Sequence, residues 1–269
     1  MLQVSKVKQK MKAGEVVIRA FLRFPNPGAA EIMVLSGVDL VVMDQEHYPF
    51  NAQEIETVVR AVQAAGGECM VRVPNTEPAH IAQVMESGVC GVVVPHIETY
   101  EEAMEVVNAV KYAPIGKRGF CPITRAAAYG MRMGPKEYVA FANEQTSIIL
   151  MTETKRGLEN LDQILTIPEV DGISIGPSDV SASFGLPGQV DHPLVQEAIK
   201  EGEKKILAAG KVLAAQAYGG AAAKQAYDRG ARILTVGSDV QVLTKSFASL
   251  TASMFGVERE FLGEQGEQR

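Results

Sequence analysis

Several short stretches of the 269-residue chain carry side chains that can move protons or hold ions. Asp44-Gln45-Glu46-His47 follows the apolar run Val41-Val42-Met43, which brings two carboxylates and one of only four histidines to one place. A carboxylate beside an imidazole fixes its tautomer and raises its basicity, which suits proton transfer near neutral pH. The same spacing also fits a helix cap at Asp44 and a solvated His47. Arg72, inside Val71-Arg72-Val73-Pro74, sets a guanidinium among apolar neighbours, where a charge is costly unless an anion or a carboxylate pairs with it. Asp44 or Glu46 can be that partner. Glu153 ends the run Ile148-Ile149-Leu150-Met151, and Asp179 lies in Gly176-Pro177-Ser178-Asp179 after the next run. Two hard oxygen ligands, completed by water and substrate oxygens, meet the octahedral demand of Mg²⁺ or Mn²⁺. The competing reading pairs Glu153 with Lys155 or Arg156 and makes Asp179 a helix cap. Gly176-Pro177-Ser178 reads either as an anion-facing turn ahead of a helix or as an ordinary strand-to-helix connection.

The elements that must position these groups are legible as short apolar, β-branched runs: Val17 to Phe21, Leu40 to Met43, Cys69 to Val73, Gly91 to Val94, Ile148 to Met151, Gly172 to Ile175, Val212 to Ala215 and Ile233 to Val236. Near-continuous apolar strands imply burial on both faces. Between them run amphipathic segments, Asn51 to Ala65, Glu77 to Glu86, Thr99 to Val110, Leu158 to Leu165, His192 to Ala209 and Ala221 to Arg229, several stopping at Gly. An open doubly wound sheet alternates in the same way. However, Asp44, Arg72, Pro95, Glu153, Gly176 and Gly237 all stand at the carboxyl ends of separate strands, which favours a barrel mouth. The expected architecture is therefore an α/β (β/α)₈ TIM barrel, a single domain over residues 1–269. The long irregular stretch from Tyr112 to Met133 reads as an ordered cover over part of the mouth, the stretch from Met1 to Glu15 as polar and lysine-rich, and the tail from Gly263 to Arg269 as frayed.

Hydrophobic residues make up 46% of the chain and charged residues 22%, which supplies a core and excludes disorder. A net charge of −6 argues against a phosphate-backbone surface, so no nucleic-acid partner is expected. Cys69, Cys90 and Cys121 form neither a disulfide framework nor a CxxC pair and read as buried thiols. No stretch approaches the roughly 20 apolar residues of a membrane span, so no membrane partner and a cytoplasmic location are expected.

Taken in order, these segments resemble the HpcH/HpaI aldolase family of metal-dependent pyruvate aldolases, a phosphoenolpyruvate/pyruvate-type barrel. The resemblance rests on Asp44-Gln45-Glu46-His47, Val71-Arg72-Val73-Pro74, Val94-Pro95-His96-Ile97-Glu98-Thr99, Gly116-Lys117-Arg118-Gly119, Glu153-Thr154 and Gly176-Pro177-Ser178-Asp179. It implies that Glu153 and Asp179 hold a divalent metal (Mg²⁺, Mn²⁺ or Co²⁺), that Arg72 faces an enolate oxygen, and that Asp44 and His47 handle protons. It further implies that backbone groups of Gly176, Pro177 and Ser178 orient a carboxylate, and that Glu86 completes a neighbouring subunit's site. The activity implied is cleavage of a 4-hydroxy-2-oxo acid to pyruvate and an aldehyde. The assembly implied is a homo-oligomer, a hexamer with its C-terminal helix exchanged between subunits. Two departures stand out: Met151 replaces the family's usual Gln, and Ala128 an arginine often found in the loop. The first keeps open an oxaloacetate-decarboxylating, condensing enzyme like macrophomate synthase. A catalytically silent metabolite-binding barrel is the further alternative. His96 fits either the mouth or the packing, and His80 and His192 read as surface or cap residues.

Overall fold

The computed structural model describes residues 2–255; the expected frayed tail, 263–269, lies outside them. Eight parallel strands close into a barrel in sequence order, β1 (Val17–Leu22), β2 (Leu40–Asp44), β3 (Glu68–Arg72), β4 (Gly91–Val94), β5 (Ser147–Met151), β6 (Gly172–Ser174), β7 (Val212–Gln216) and β8 (Ile233–Ser238), with β8 paired back onto β1. Around it lie α1 (Lys6–Ala13), α2 (Pro27–Leu35), α3 (Ala52–Ala64), α4 (Pro78–Glu86), α5 (Tyr100–Val110), α6 (Pro135–Gln145), α7 (Lys155–Glu159), α8 (Leu161–Ile164), α9 (Pro177–Ser183), α10 (Pro193–Ala208), α11 (Gly220–Asp228) and α12 (Asp239–Phe255).

Local chemistry explains the boundaries. Asn51 and Thr99 each close a capping box, with Glu54 and Glu102 reaching back to the cap backbone, so α3 and α5 start where polar text meets an apolar stripe. Alternation along each strand then sorts the side chains. Val41, Met43, Val71 and Leu150 pack outward against the helices, while Val42, Met70, Val93, Ile149 and Met151 fill the barrel interior. Register sets the site: Asp44 and Arg72 are Cα partners on β2 and β3, so two inward side chains of opposite charge emerge side by side at the mouth.

Three expectations are corrected. Residues 2–13 are not merely a polar lead-in. Val7 and Met11, four apart on α1, are buried in the same cluster as Leu40 and Met70, so α1 closes the end of the barrel opposite the mouth. The stretch from 112 to 133 does not cover this chain's mouth. It follows α5, which runs back toward the strands' amino ends, and there Ala126 N–H donates to Glu86 O (3.1 Å) while Arg125 donates to Ser87 O (2.6 Å) and Gln63 Oε1 (2.9 Å). Cys69 is buried as expected, whereas Cys121 is exposed. Among the described residues no helix is long and apolar enough to cross a membrane.

Candidate active site at the barrel mouth

Arg72 is the hub. Its Nε and Nη2 donate to Asp44 Oδ1 (3.0 Å) and Oδ2 (2.7 Å), a two-pronged contact, and its Nη1 lies 3.0 Å from Glu46 Oε2. The guanidinium also sits over the Phe21 ring, 4.9 Å from its centroid. Burial lowers the Arg72 pKa, but the hydrogen bonds to Asp44 and the charges of Asp44 and Glu46 outweigh it, so the pKa ends above the ordinary arginine value. Asp44 is fully buried and is also approached by Arg23 Nε at 3.6 Å. Both partners that the sequence offers to Arg72 are thus used.

Glu153 follows β5 and is 1% exposed. Its Oε1 accepts from the His96 backbone N–H (3.1 Å), and its Oε2 is buried with no hydrogen-bond partner among the described residues. Desolvation raises its pKa to about 7; the His96 N–H opposes this and the nearby negative charge of Asp179 adds to it. Lys155 and Arg156, the alternative partners, turn instead to Glu159 (3.9 Å) and Glu98 (3.2 Å). Asp179 lies in the first turn of α9. A Cβ built on the intervening Gly176 would fall 2.5 Å from Glu153 Oε2 and 3.3 Å from Asp179 Oδ2. The missing side chain at Gly176 is therefore what lets two acidic oxygens face one space. An unpartnered buried carboxylate oxygen beside a second carboxylate is the donor set a hard divalent cation requires, so the residues fit a metal.

The remaining expected residues divide. Gly176 and Ser178 keep backbone N–H groups that no hydrogen bond engages among the described residues, while Pro177 has no N–H to offer. The His47 imidazole is 57% exposed and faces Glu46 Oε2 at 3.7 Å, whereas Asp44 meets the His47 backbone N–H at 3.4 Å. Asp44 and His47 therefore do not form a side-chain pair in this conformation, because Arg72 occupies both Asp44 oxygens. Glu86 ends α4, on the opposite side of the barrel from the strand carboxyl ends, and does not line this mouth. Met151 packs its thioether side chain in the barrel interior beside Ile149. His80 Nε2 lies 2.8 Å from Gln45 Oε1, and His192 caps α10.

Two groups exceed the sequence reading. His96, after β4, places its ring between two acids, Nε2 at 3.0 Å from Glu46 Oε1 and Nδ1 at 3.4 Å from Glu153 Oε1. Its φ of 55° is left-handed, a conformation that costs an L residue about 1–2 kcal/mol. Glu46, His96 and Glu153 together form a possible metal-holding group, with one ligand atom from each lying within 4.8 Å of the others. Arg19, on β1 inside the barrel, donates to Thr235 Oγ1 through Nε (2.9 Å) and Nη2 (2.7 Å), and its Nη1 has no hydrogen-bond partner among the described residues. Desolvation, then repulsion from Arg72, lowers its pKa to about 10. A charge inside Val17-Ile18-Arg19-Ala20-Phe21 was the same signal that singled out Arg72. Lys111, whose pKa burial lowers to about 7, lies beyond the C-terminus of α5, held by Asn143 O and Thr146, far from where a Schiff base would have to form.

A closed parallel barrel whose mouth gathers a buried arginine fork and converging acids defines an α/β-barrel enzyme site. The chain belongs to the HpcH/HpaI aldolase/citrate lyase family, whose model matches residues 18–246. It is 35% identical over 240 residues, 89% of each chain, to the 2-keto-3-deoxy-L-rhamnonate aldolase of Klebsiella pneumoniae. It is 33% identical over 259 residues to the 4-hydroxy-2-oxo-heptane-1,7-dioate aldolase of Salmonella typhimurium, covering 96% of this chain and 97% of that one. The crystal structure of an HpcH/HpaI aldolase/citrate lyase family protein from Burkholderia cenocepacia superposes with a TM-score of 0.87 at 31% identity, covering 93% of this chain and 99% of that one.

Proposed function

We infer that this protein is a metal-dependent aldolase that splits a 4-hydroxy-2-oxo acid into pyruvate and an aldehyde. The observation that carries the reading is the unpartnered Glu153 Oε2, which shares the space beside Gly176 with Asp179, within electrostatic reach of Arg72. The names of both aldolase relatives describe 2-oxo (2-keto) acids, which supports the substrate class.

A divalent cation (Mg²⁺, Mn²⁺ or Co²⁺) held by Glu153 and Asp179 supplies Lewis acidity toward the 2-oxo group. The protein's own residues do the rest. Arg72 spends two of its five N–H groups on Asp44, which holds the fork rigid and leaves hydrogens on Nη1 and Nη2 to meet negative charge growing on the C2 oxygen. His47, whose imidazole is exposed at the mouth, takes the proton of the C4 hydroxyl. As that proton leaves, the C3–C4 bond breaks, the aldehyde carbonyl forms at C4, and the electron pair passes to C3 as the pyruvate enolate. Protonation at C3 then gives pyruvate, with no change of oxidation state overall. The N–H groups of Gly176 and Ser178 are free to orient the substrate carboxylate.

Protein stripped with a chelator should lose cleavage of 4-hydroxy-2-oxo acids, followed by pyruvate release, and should regain it with Mg²⁺, Mn²⁺ or Co²⁺. Full activity after metal removal rejects the reading.

A further inference from the structure

His96 has no part in the reaction above, yet its placement is specific. The ring stands between Glu46 and Glu153, and its backbone N–H is bonded to the same Glu153 oxygen that Nδ1 approaches. Half of the side chain is exposed, so packing does not account for a left-handed backbone here. The neighbouring Ile97 N–H donates to Met151 O (3.0 Å), which ties the turn down on its other side. Glu153, the acid facing Nδ1, is the one that is almost completely buried and keeps an oxygen without a partner, so this corner is built around something that an anionic oxygen can bind.

Resting on the reading of Glu153 as a cation ligand, we propose that His96 Nδ1 is a further protein ligand to the same ion and that Glu46 is the carboxylate that orients the ring. A metal-bound histidine almost always gives its other ring N–H to a carboxylate, carbonyl or water, which fixes the tautomer and makes the ligating nitrogen more basic. The two ring nitrogens here meet that pattern: Nε2 faces Glu46 Oε1 at 3.0 Å and Nδ1 faces Glu153 Oε1 at 3.4 Å. Glu46 is itself held by Arg72 Nη1 at 3.0 Å, so Arg72, Glu46 and His96 form one line of contacts from the enolate-facing fork to the ion. Imidazole nitrogen suits later first-row metals, whereas Mg²⁺ prefers oxygen. The site should therefore favour Mn²⁺ and Co²⁺ over Mg²⁺ more strongly than an all-oxygen site would.

The opposing arrangement is a protonated His96 that pairs with both acids and competes with the ion. Full-length protein stripped by chelation is titrated calorimetrically with MgCl₂, MnCl₂ and CoCl₂ as wild type, His96→Gln and Glu46→Gln, with circular dichroism checking the fold. Pulsed EPR of the Mn²⁺ form reads directly whether a ¹⁴N nucleus is coupled to the ion. The expected result is ¹⁴N coupling in the wild type that disappears in His96→Gln. Mn²⁺ and Co²⁺ affinity should fall on the order of 10- to 100-fold in that variant, while Mg²⁺ affinity changes less. Unchanged or tighter Mn²⁺ binding in His96→Gln, or no ¹⁴N coupling in the wild type, overturns the assignment while leaving the Glu153 and Asp179 reading intact. No divalent-metal binding by the wild type overturns both.

Discussion

At the scale of single residues, the mouth depends on one arginine that satisfies two acids. Asp44 is fully buried and receives both prongs of Arg72, so shortening the arginine leaves a carboxylate that cannot reach water. Removing one member of such a buried pair costs about 3–5 kcal/mol, mostly through the charge left behind. Lysine at this position keeps the charge but loses the planar fork, so it cannot hold Asp44 through two bonds and face a substrate oxygen as well. Arg72→Lys should fold, as judged by circular dichroism, and lose on the order of 100-fold in kcat for 2-oxo acid cleavage, roughly 2.7 kcal/mol of transition-state stabilisation. Undiminished turnover would remove Arg72 from the proposed chemistry. Arg19 marks a limit of residue-level reading: its place among apolar neighbours announces burial, but only the three-dimensional arrangement gives it a hydroxyl, Thr235, in place of a carboxylate.

At the scale of elements, the strands were readable because burial on both faces leaves near-continuous apolar runs, and each expected run overlaps an observed strand. The helices α1, α2 and α6 were not; in α1 the apolar residues are dispersed through polar text. Val7 and Met11 are separated by three polar or charged residues. Which end of the barrel a residue reaches was also lost where a motif was judged apart from its helix. The stretch from 112 follows α5, so it lies at the far end from the strand tips, a consequence of helices running back against the strands. Within the site, the strand-end positions of Asp44, Arg72 and Glu153 were legible. The partner of the His47 ring was not, because side-chain direction on a turn does not follow from spacing. The β6-to-α9 connection is the element on which the proposed cation site depends, because Gly176 leaves room beside Glu153 and Asp179. Gly176→Ala puts a methyl group 2.5 Å from the present position of Glu153 Oε2, so the carboxylate must move. Calorimetric titration with Mn²⁺ should show affinity reduced at least about 10-fold, the scale at which disturbing a ligand's surroundings is felt, with secondary structure retained. Wild-type affinity in that variant would separate Glu153 from the metal.

At the scale of the whole molecule, two surfaces contrast with the packed interior. On α12, Val242, Leu243, Phe247, Leu250 and Met254 are between 46% and 74% exposed, and on α2 Ile32 and Leu35 are 67% and 77% exposed. Apolar patches of this kind on an isolated chain mark contact surfaces. Light scattering on the full-length protein should give a mass several times that of one 28.9 kDa chain, six-fold if the family resemblance extends to assembly. A monomer at micromolar concentration contradicts the oligomer expected from the sequence.

The short helix α1 has the last word on how the protein is used. With Val7 and Met11 seated under the strands and Ser5 Oγ bonded to Glu68 Oε2 at 2.6 Å, the barrel is stoppered at its base. Val42, Met70, Val93 and Ile149 fill the interior above it, so the described barrel is solid beneath the mouth and a molecule bound there arrives and leaves on the same side. Arriving and departing molecules then take turns, and anything lodged at the rim slows both.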